Sequence, residues 1–165
     1  MKKNLILGIL DNYTFHQVKK FVYSIMRTGF TGDVCLFLGP KTSPVTVKLL
    51  KSHGIHLEYF AGLDSLPAGN EAVKIFKLRS PINYFNYRHY LYYDYLLRNK
   101  GKYENILLTD VRDVYFQDDP FSFKIGDALY CALEGPTSTI RDCSYNGPWM
   151  EYIYGKEVLN KIGDN

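Results

Sequence analysis

The chain has 165 residues, a formal net charge of +3 and three cysteines, enough for one domain with a real core. An odd cysteine count without Cys-x-x-Cys spacing excludes a disulfide-stapled secreted scaffold, so a reducing, cytoplasmic setting is expected. Basic residues never run beyond pairs, which excludes a nucleic-acid-binding stripe. Residues 124–165 hold four Lys/Arg against six Asp/Glu, so the first 123 carry +5, a bias that favours an anionic ligand.

Residues 4–10 read as a buried strand. Their apolar run stops at Asp11 with no small-residue cleavage site after it, which argues against a signal peptide. No other window approaches the length of a transmembrane segment. Phe15, Val18, Phe21, Val22, Ile25 and Met26 recur at helical spacing over residues 15–28, with Thr14 as N-cap and Gly29 as stop. A second strand spans Asp33 to Leu38 and is closed by Gly39-Pro40. A second helix, 44–53, turns Leu49 and Leu50 inward and ends at Gly54, and a third strand runs from Ile55 to Phe60. Strand–helix repeats at this spacing predict parallel βαβ units in a sheet covered on both faces.

Residues 61–80 read as irregular. There Lys74, Lys77 and Arg79 form either a solvated face or a phosphate contact. Residues 82–99 contain neither Gly nor Pro and so many Tyr, Phe and Leu that the predicted helix has almost no polar face, as if wedged between layers. Arg88 interrupts it. A guanidinium among tyrosines either finds a carboxylate or phosphate or snorkels past the rings.

Ile106, Leu107 and Leu108 form a short continuous apolar run, read as a buried strand, followed by Thr109-Asp110-Val111-Arg112-Asp113. Carboxylates at the carboxyl end of a central strand sit where open α/β sheets bind ligands. Two together suit a divalent cation whose other ligands are substrate phosphates. A turn-capping Asp110 and a solvated Asp113 are the plainer alternative. Ala128 to Leu133 reads as a further strand, and the tail as two short helices, one beside the only tryptophan, Trp149. The 15 tyrosines suit half-buried and stacking surfaces, and a homodimer would be compatible with them.

The ordered set resembles the GT-A fold nucleotide-diphospho-sugar transferases, the glycosyltransferase class of glycogenin-like enzymes. It comprises a first strand ending Leu10-Asp11-Asn12-Tyr13, a long helix with Arg88, and a strand ending Thr109-Asp110-Val-Arg-Asp113, within about residues 4–135. The resemblance implies an α/β, Rossmann-like fold with a mostly parallel central sheet flanked by helices, here as a single nucleotide-sugar-binding domain over 1–165. It implies transfer of a hexose from a UDP- or GDP-linked donor to a glycan, lipid or protein acceptor, assisted by Mn²⁺ or Mg²⁺. Asp110 and Asp113 look like the metal and ribose ligands, Asp11 and Tyr13 like base and ribose contacts, Arg88 like a donor-site organiser. The family's Asp-x-Asp is one residue longer here, so either Asp113 swings round the turn to share the metal with Asp110, or Arg112 faces the phosphates and partly replaces the cation. Glu134 or Asp142 would handle the acceptor hydroxyl, and Trp149 would be a sugar platform or a packing anchor. Family members continue further into an acceptor half, so a form retaining mainly the donor half is expected. A non-catalytic nucleotide- or protein-binding module of the same fold is the alternative function.

Overall fold

The computed structural model describes residues 2–60, 84–130, 139–144 and 146–162; the side chains of residues 84–86, 149, 153 and 162 are outside that description. The chain falls into two compact units, Met1–Phe76 with Ile82–Gly126, and Lys77–Pro81 with Asp127–Asn165.

In the first unit the described elements are β1 (Lys3–Leu10), α1 (Phe15–Arg27), β2 (Asp33–Leu38), α2 (Pro44–Ser52), β3 (His56–Tyr59), α3 (Tyr84–Arg98) and β4 (Tyr103–Leu108). The four strands form an all-parallel sheet in the order β3-β2-β1-β4. Local chemistry sets the boundaries. The Thr14 N–H at the start of α1 donates to Gln17 Oε1 at 2.9 Å. Ser43 Oγ accepts the Thr46 N–H ahead of α2, where Pro44 fits the first turn because that position has no helical bond to lose. Gly29, Gly54 and Gly101 take positive φ just beyond the three helices, a conformation that costs glycine little.

The period-two alternation of the strands splits the core in two. Ile6, Leu10, Val34, Leu36 and Leu38 pack with Val18, Phe21, Val22 and Ile25 of α1 and Leu50 of α2. Leu5, Leu7, Cys35 and Phe37 face the other way, onto Tyr87, Tyr92 and Tyr95 of α3. Helices thus flank both faces, and each fully buried Leu or Phe contributes about 1.5–3 kcal/mol.

Two expectations are corrected. Helix α3 is not buried all round: Tyr87, Tyr92 and Tyr95 face the sheet, whereas Tyr93 and Leu97 are more than half exposed. The tyrosine hydroxyls explain why such a face tolerates water. Strand β4 is not continuously buried either. It lies at the edge of the described sheet, and Ile106 and Leu108 are 43% and 46% exposed. Of the strand expected at 128–133, residues 128–130 are irregular and 131–133 lie outside the described residues.

The second unit contains α4 (Asn146–Tyr154) and α5 (Lys156–Ile162), packed together across Gly155 at φ 86°. Leu159 is buried there, and Arg141 donates to its carbonyl at 3.3 Å. No helix among the described residues is long and apolar enough to cross a membrane.

Cys35 gives a simple check of the sheet. Its thiol is buried, and burial, reinforced by the Glu58 carboxylate, pushes its pKa up to about 12. Iodoacetamide at pH 8 is expected to leave Cys35 unmodified in the native protein and to alkylate it after denaturation, read by peptide mass mapping. Native labelling of Cys35 as fast as that of the half-buried Cys143 would contradict the packing.

Candidate functional site

Strand order decides where a ligand can sit. From β1 the chain steps outward to β2 and β3, then returns through α3 to place β4 on the opposite side of β1. The connections diverge between β1 and β4, α1 and α2 packing on one face and α3 on the other. In open parallel sheets this divergence opens a crevice at the carboxyl ends of the two strands. A cleft of about 380 Å³ lies there. Its walls are Ile9, Asp11 and Tyr13 from the end of β1, Arg88 from α3, and residues 110–113 after β4. The sequence-predicted residues Asp11, Tyr13, Arg88, Asp110, Arg112 and Asp113 are therefore brought together.

The tip of β1 is shaped by its backbone. Asn12 sits at φ 60°, the left-handed region that asparagine tolerates better than most residues. The turn lays the Asp11 carboxylate against Gly39, the residue just after β2. A Cβ on Gly39 would lie 1.7 Å from Asp11 Oδ1, so only glycine leaves that carboxylate its place. The Gly39 N–H donates to the Leu10 carbonyl at 3.2 Å and ties the two strand ends together. Gly39→Ala is expected to displace Asp11 and weaken ligand binding about tenfold, with little loss of fold, because the obstructing atom belongs to a movable side chain. Titration calorimetry beside a denaturant melt checks this, and unchanged affinity would contradict it.

The turn after β4 is pinned at both ends. Val111 is buried against the α1–α2 core and approaches Gly8 so closely that a Cβ there would lie 2.5 Å from Val111 Cγ1. Phe116 packs edge-on against Phe21 at 5.3 Å, and its N–H donates to the buried Ser24 hydroxyl at 3.0 Å. Val111 acts as a plug between Asp110 and Arg112, and both of these, with Asp113, stay exposed. Of the two residues between Asp110 and Asp113, Val111 anchors the turn and Arg112 stays exposed.

Arg88 forms the expected carboxylate contact, with Asp110 at 2.5 Å. Its Nε–H is buried without an acceptor among the described residues, so the guanidinium has donor capacity beyond that pair. Arg112 lies over the Tyr13 ring, 5.7 Å from its centroid. Asp113 has no side-chain partner among the described residues.

Among the described residues, three carboxylates and two guanidiniums line the cleft, one negative charge in excess. A diphosphate alone would meet net repulsion, and a divalent cation would reverse the sign. Among the described residues no group of three or more His, Cys, Asp or Glu could hold a metal by itself. The two-carboxylate turn nevertheless fits the way Mg²⁺ and Mn²⁺ bind, through one or two carboxylates completed by water and phosphate oxygens. Asp110, one oxygen of which is held by Arg88, and the uncommitted Asp113 would be the protein ligands.

Glu134 and Asp142 are the expected acceptor-side residues. Glu134 lies outside the described residues, as do Lys74, Lys77, Arg79 and Cys131. Asp142 belongs to the second unit, where it accepts from Thr139 Oγ1 at 2.8 Å and closes a local turn. Trp149 lies on α4, its side chain outside the description. Sequence reasoning missed Gly8, Gly39 and Val111 as positioning residues. Gly8 carried a signal, because a lone glycine within an apolar strand marks close approach by another chain segment. In comparison with known proteins, no protein-family model matches the chain, and no curated protein matches it.

Proposed function

We propose that the first unit is the donor-binding part of a GT-A, Rossmann-like glycosyltransferase, moving a hexose from a UDP- or GDP-linked sugar to a glycan, lipid or protein acceptor. One observation carries the reading: the ends of β1 and β4 meet in a single cleft where the strand order diverges, and both ends bring carboxylates to it. Asp11 and Tyr13 would contact base and ribose, while Asp110 and Asp113 would hold Mn²⁺ or Mg²⁺. When bound, the ion neutralises the diphosphate of the leaving nucleotide. Arg88 orients Asp110 through their ion pair and offers its remaining donors to phosphate oxygens. Asp142, and Glu134 beyond the described residues, stand as proposed acceptor-side carboxylates. The free Cys35 and Cys143 suit a reducing, cytoplasmic setting.

Calorimetry with UDP, GDP and their sugars, with and without Mn²⁺, tests the reading. The expected result is manganese-dependent binding that falls at least about tenfold in Asp113→Asn. Binding of every nucleotide equally weak with and without manganese would overturn it. Manganese-dependent binding with no hydrolysis or transfer would keep the site but favour a non-catalytic nucleotide-binding module.

A further inference from the structure

The cleft holds a conflict. Tyr13 is the aromatic ring placed to stack on a base, yet its ring carries the Arg112 guanidinium, 5.7 Å from the centroid. The ring is half-buried and packs against the α1–α2 core. A guanidinium over a half-buried ring competes with a base for the side of the ring that stays accessible. Arg112 itself is exposed and has no carboxylate partner among the described residues, although Asp11 and Asp113 line the same cleft. The other cation among the described cleft residues, Arg88, is paired with Asp110.

We infer that Arg112 is a specificity-determining residue with two positions, covering Tyr13 as seen here and moving to the diphosphate when a nucleoside diphosphate enters, so that base stacking is conditional on the phosphates. The inference rests on the nucleotide-diphosphate reading of the cleft and deepens it. The exchange is favourable on magnitude. An exposed cation–π contact is worth about two- to fivefold in an equilibrium, whereas a charge-assisted hydrogen bond to an anion is worth about ten- to a hundredfold. A nucleoside displaces Arg112 from the ring and gives it nothing in return. A nucleoside diphosphate displaces it and supplies a stronger partner. The backbone permits the movement, because the buried Val111 anchors the turn and leaves the flanking Arg112 side chain exposed.

The test is the sign of two changes in one variant. Uridine, UDP, guanosine and GDP are titrated calorimetrically into the full chain with Mn²⁺ present, for the native protein, Arg112→Ala and Arg112→Lys. Arg112→Ala is expected to weaken binding of the preferred nucleoside diphosphate about tenfold and to strengthen the matching nucleoside about two- to fivefold. Arg112→Lys, which keeps the charge but loses the planar stack, is expected to retain most diphosphate affinity and still bind the nucleoside more tightly. Circular dichroism melts of the variants verify folding, and Arg112, being exposed, is expected to leave them unchanged. Diphosphate binding in the native chain combined with parallel losses for nucleoside and diphosphate in Arg112→Ala, or with no change for the nucleoside, overturns the two-position role and spares the site. Failure of the native chain to bind either diphosphate overturns both.

Discussion

Asp110→Asn is expected to lower manganese-dependent affinity for UDP or GDP about 100-fold, while changing the free energy of unfolding by less than about 1 kcal/mol. The two numbers separate a ligand-binding role from a structural one. Asp110 is 59% exposed and Arg88 25% exposed, so their ion pair sits in a screened environment where it stabilises the fold little. The same carboxylate lines the cleft with Asp113, where, on the proposed reading, loss of its charge would remove a cation ligand and free Arg88 to move. Asparagine preserves size and one oxygen, so packing is unaffected. Calorimetry and urea melts on the same preparation check both halves. A stability loss of about 3 kcal/mol with unchanged affinity would assign Asp110 to the fold instead.

Gly8→Ala is expected to cost about 1–3 kcal/mol, the usual penalty for forcing extra volume into a close-packed core. For a chain of this size that is a fall in Tm of about 2–4 °C per kcal/mol. The added methyl would lie 2.5 Å from Val111 Cγ1 and 3.3 Å from the Thr109 carbonyl oxygen. The largest strain therefore falls on the segment that carries Asp110, Arg112 and Asp113, with a lesser share on Leu36 Cδ2 at 3.0 Å, and the proposed nucleotide binding is expected to weaken along with stability. Val111→Ala removes the nearest obstructing atom. The double variant Gly8→Ala, Val111→Ala is accordingly expected to be more stable than the two single costs add up to. Strict additivity would show that Gly8 and Val111 do not press on each other.

The sheet side of the fold was legible because it is written in short-range chemistry. The Asp33–Leu38 strand is found at its expected bounds, and the first two helices within a residue, because caps, glycines and apolar spacing lie within a few residues of each boundary. Burial was less legible where it depends on distant neighbours. Ile106 and Leu108 look like core residues in isolation, and only the sheet order reveals that β4 is an edge of the described sheet. Helix α3 looked fully apolar because tyrosine counts as apolar by composition, although its hydroxyl is content at a wet surface.

The site divides the same way. Strand-end carboxylates could be picked out from position, since the ends of β1 and β4 are where a parallel sheet opens. What could not be read was the support beneath them: Gly39 yielding space to Asp11, Gly8 yielding space to Val111, and Arg112 lying on Tyr13. Each joins residues about 30 to 100 positions apart, and a single sequence holds no local trace of such pairs beyond an isolated glycine in an apolar run. The Arg88–Asp110 pair was foreseeable because a guanidinium on a largely apolar helix demands an anion, and the nearest acidic turn follows the next strand.

On the proposed reading, one cleft, between the ends of β1 and β4, holds a nucleotide diphosphate through a divalent cation. Anomalous diffraction at the manganese edge from crystals grown with Mn²⁺ and UDP or GDP addresses it most directly. A single strong manganese peak within coordination distance of Asp110 and Asp113 carboxylate oxygens, with diphosphate density on its far side and the base toward Tyr13, is the predicted result. Nucleotide density elsewhere on the molecule, with no manganese at that turn, would contradict it.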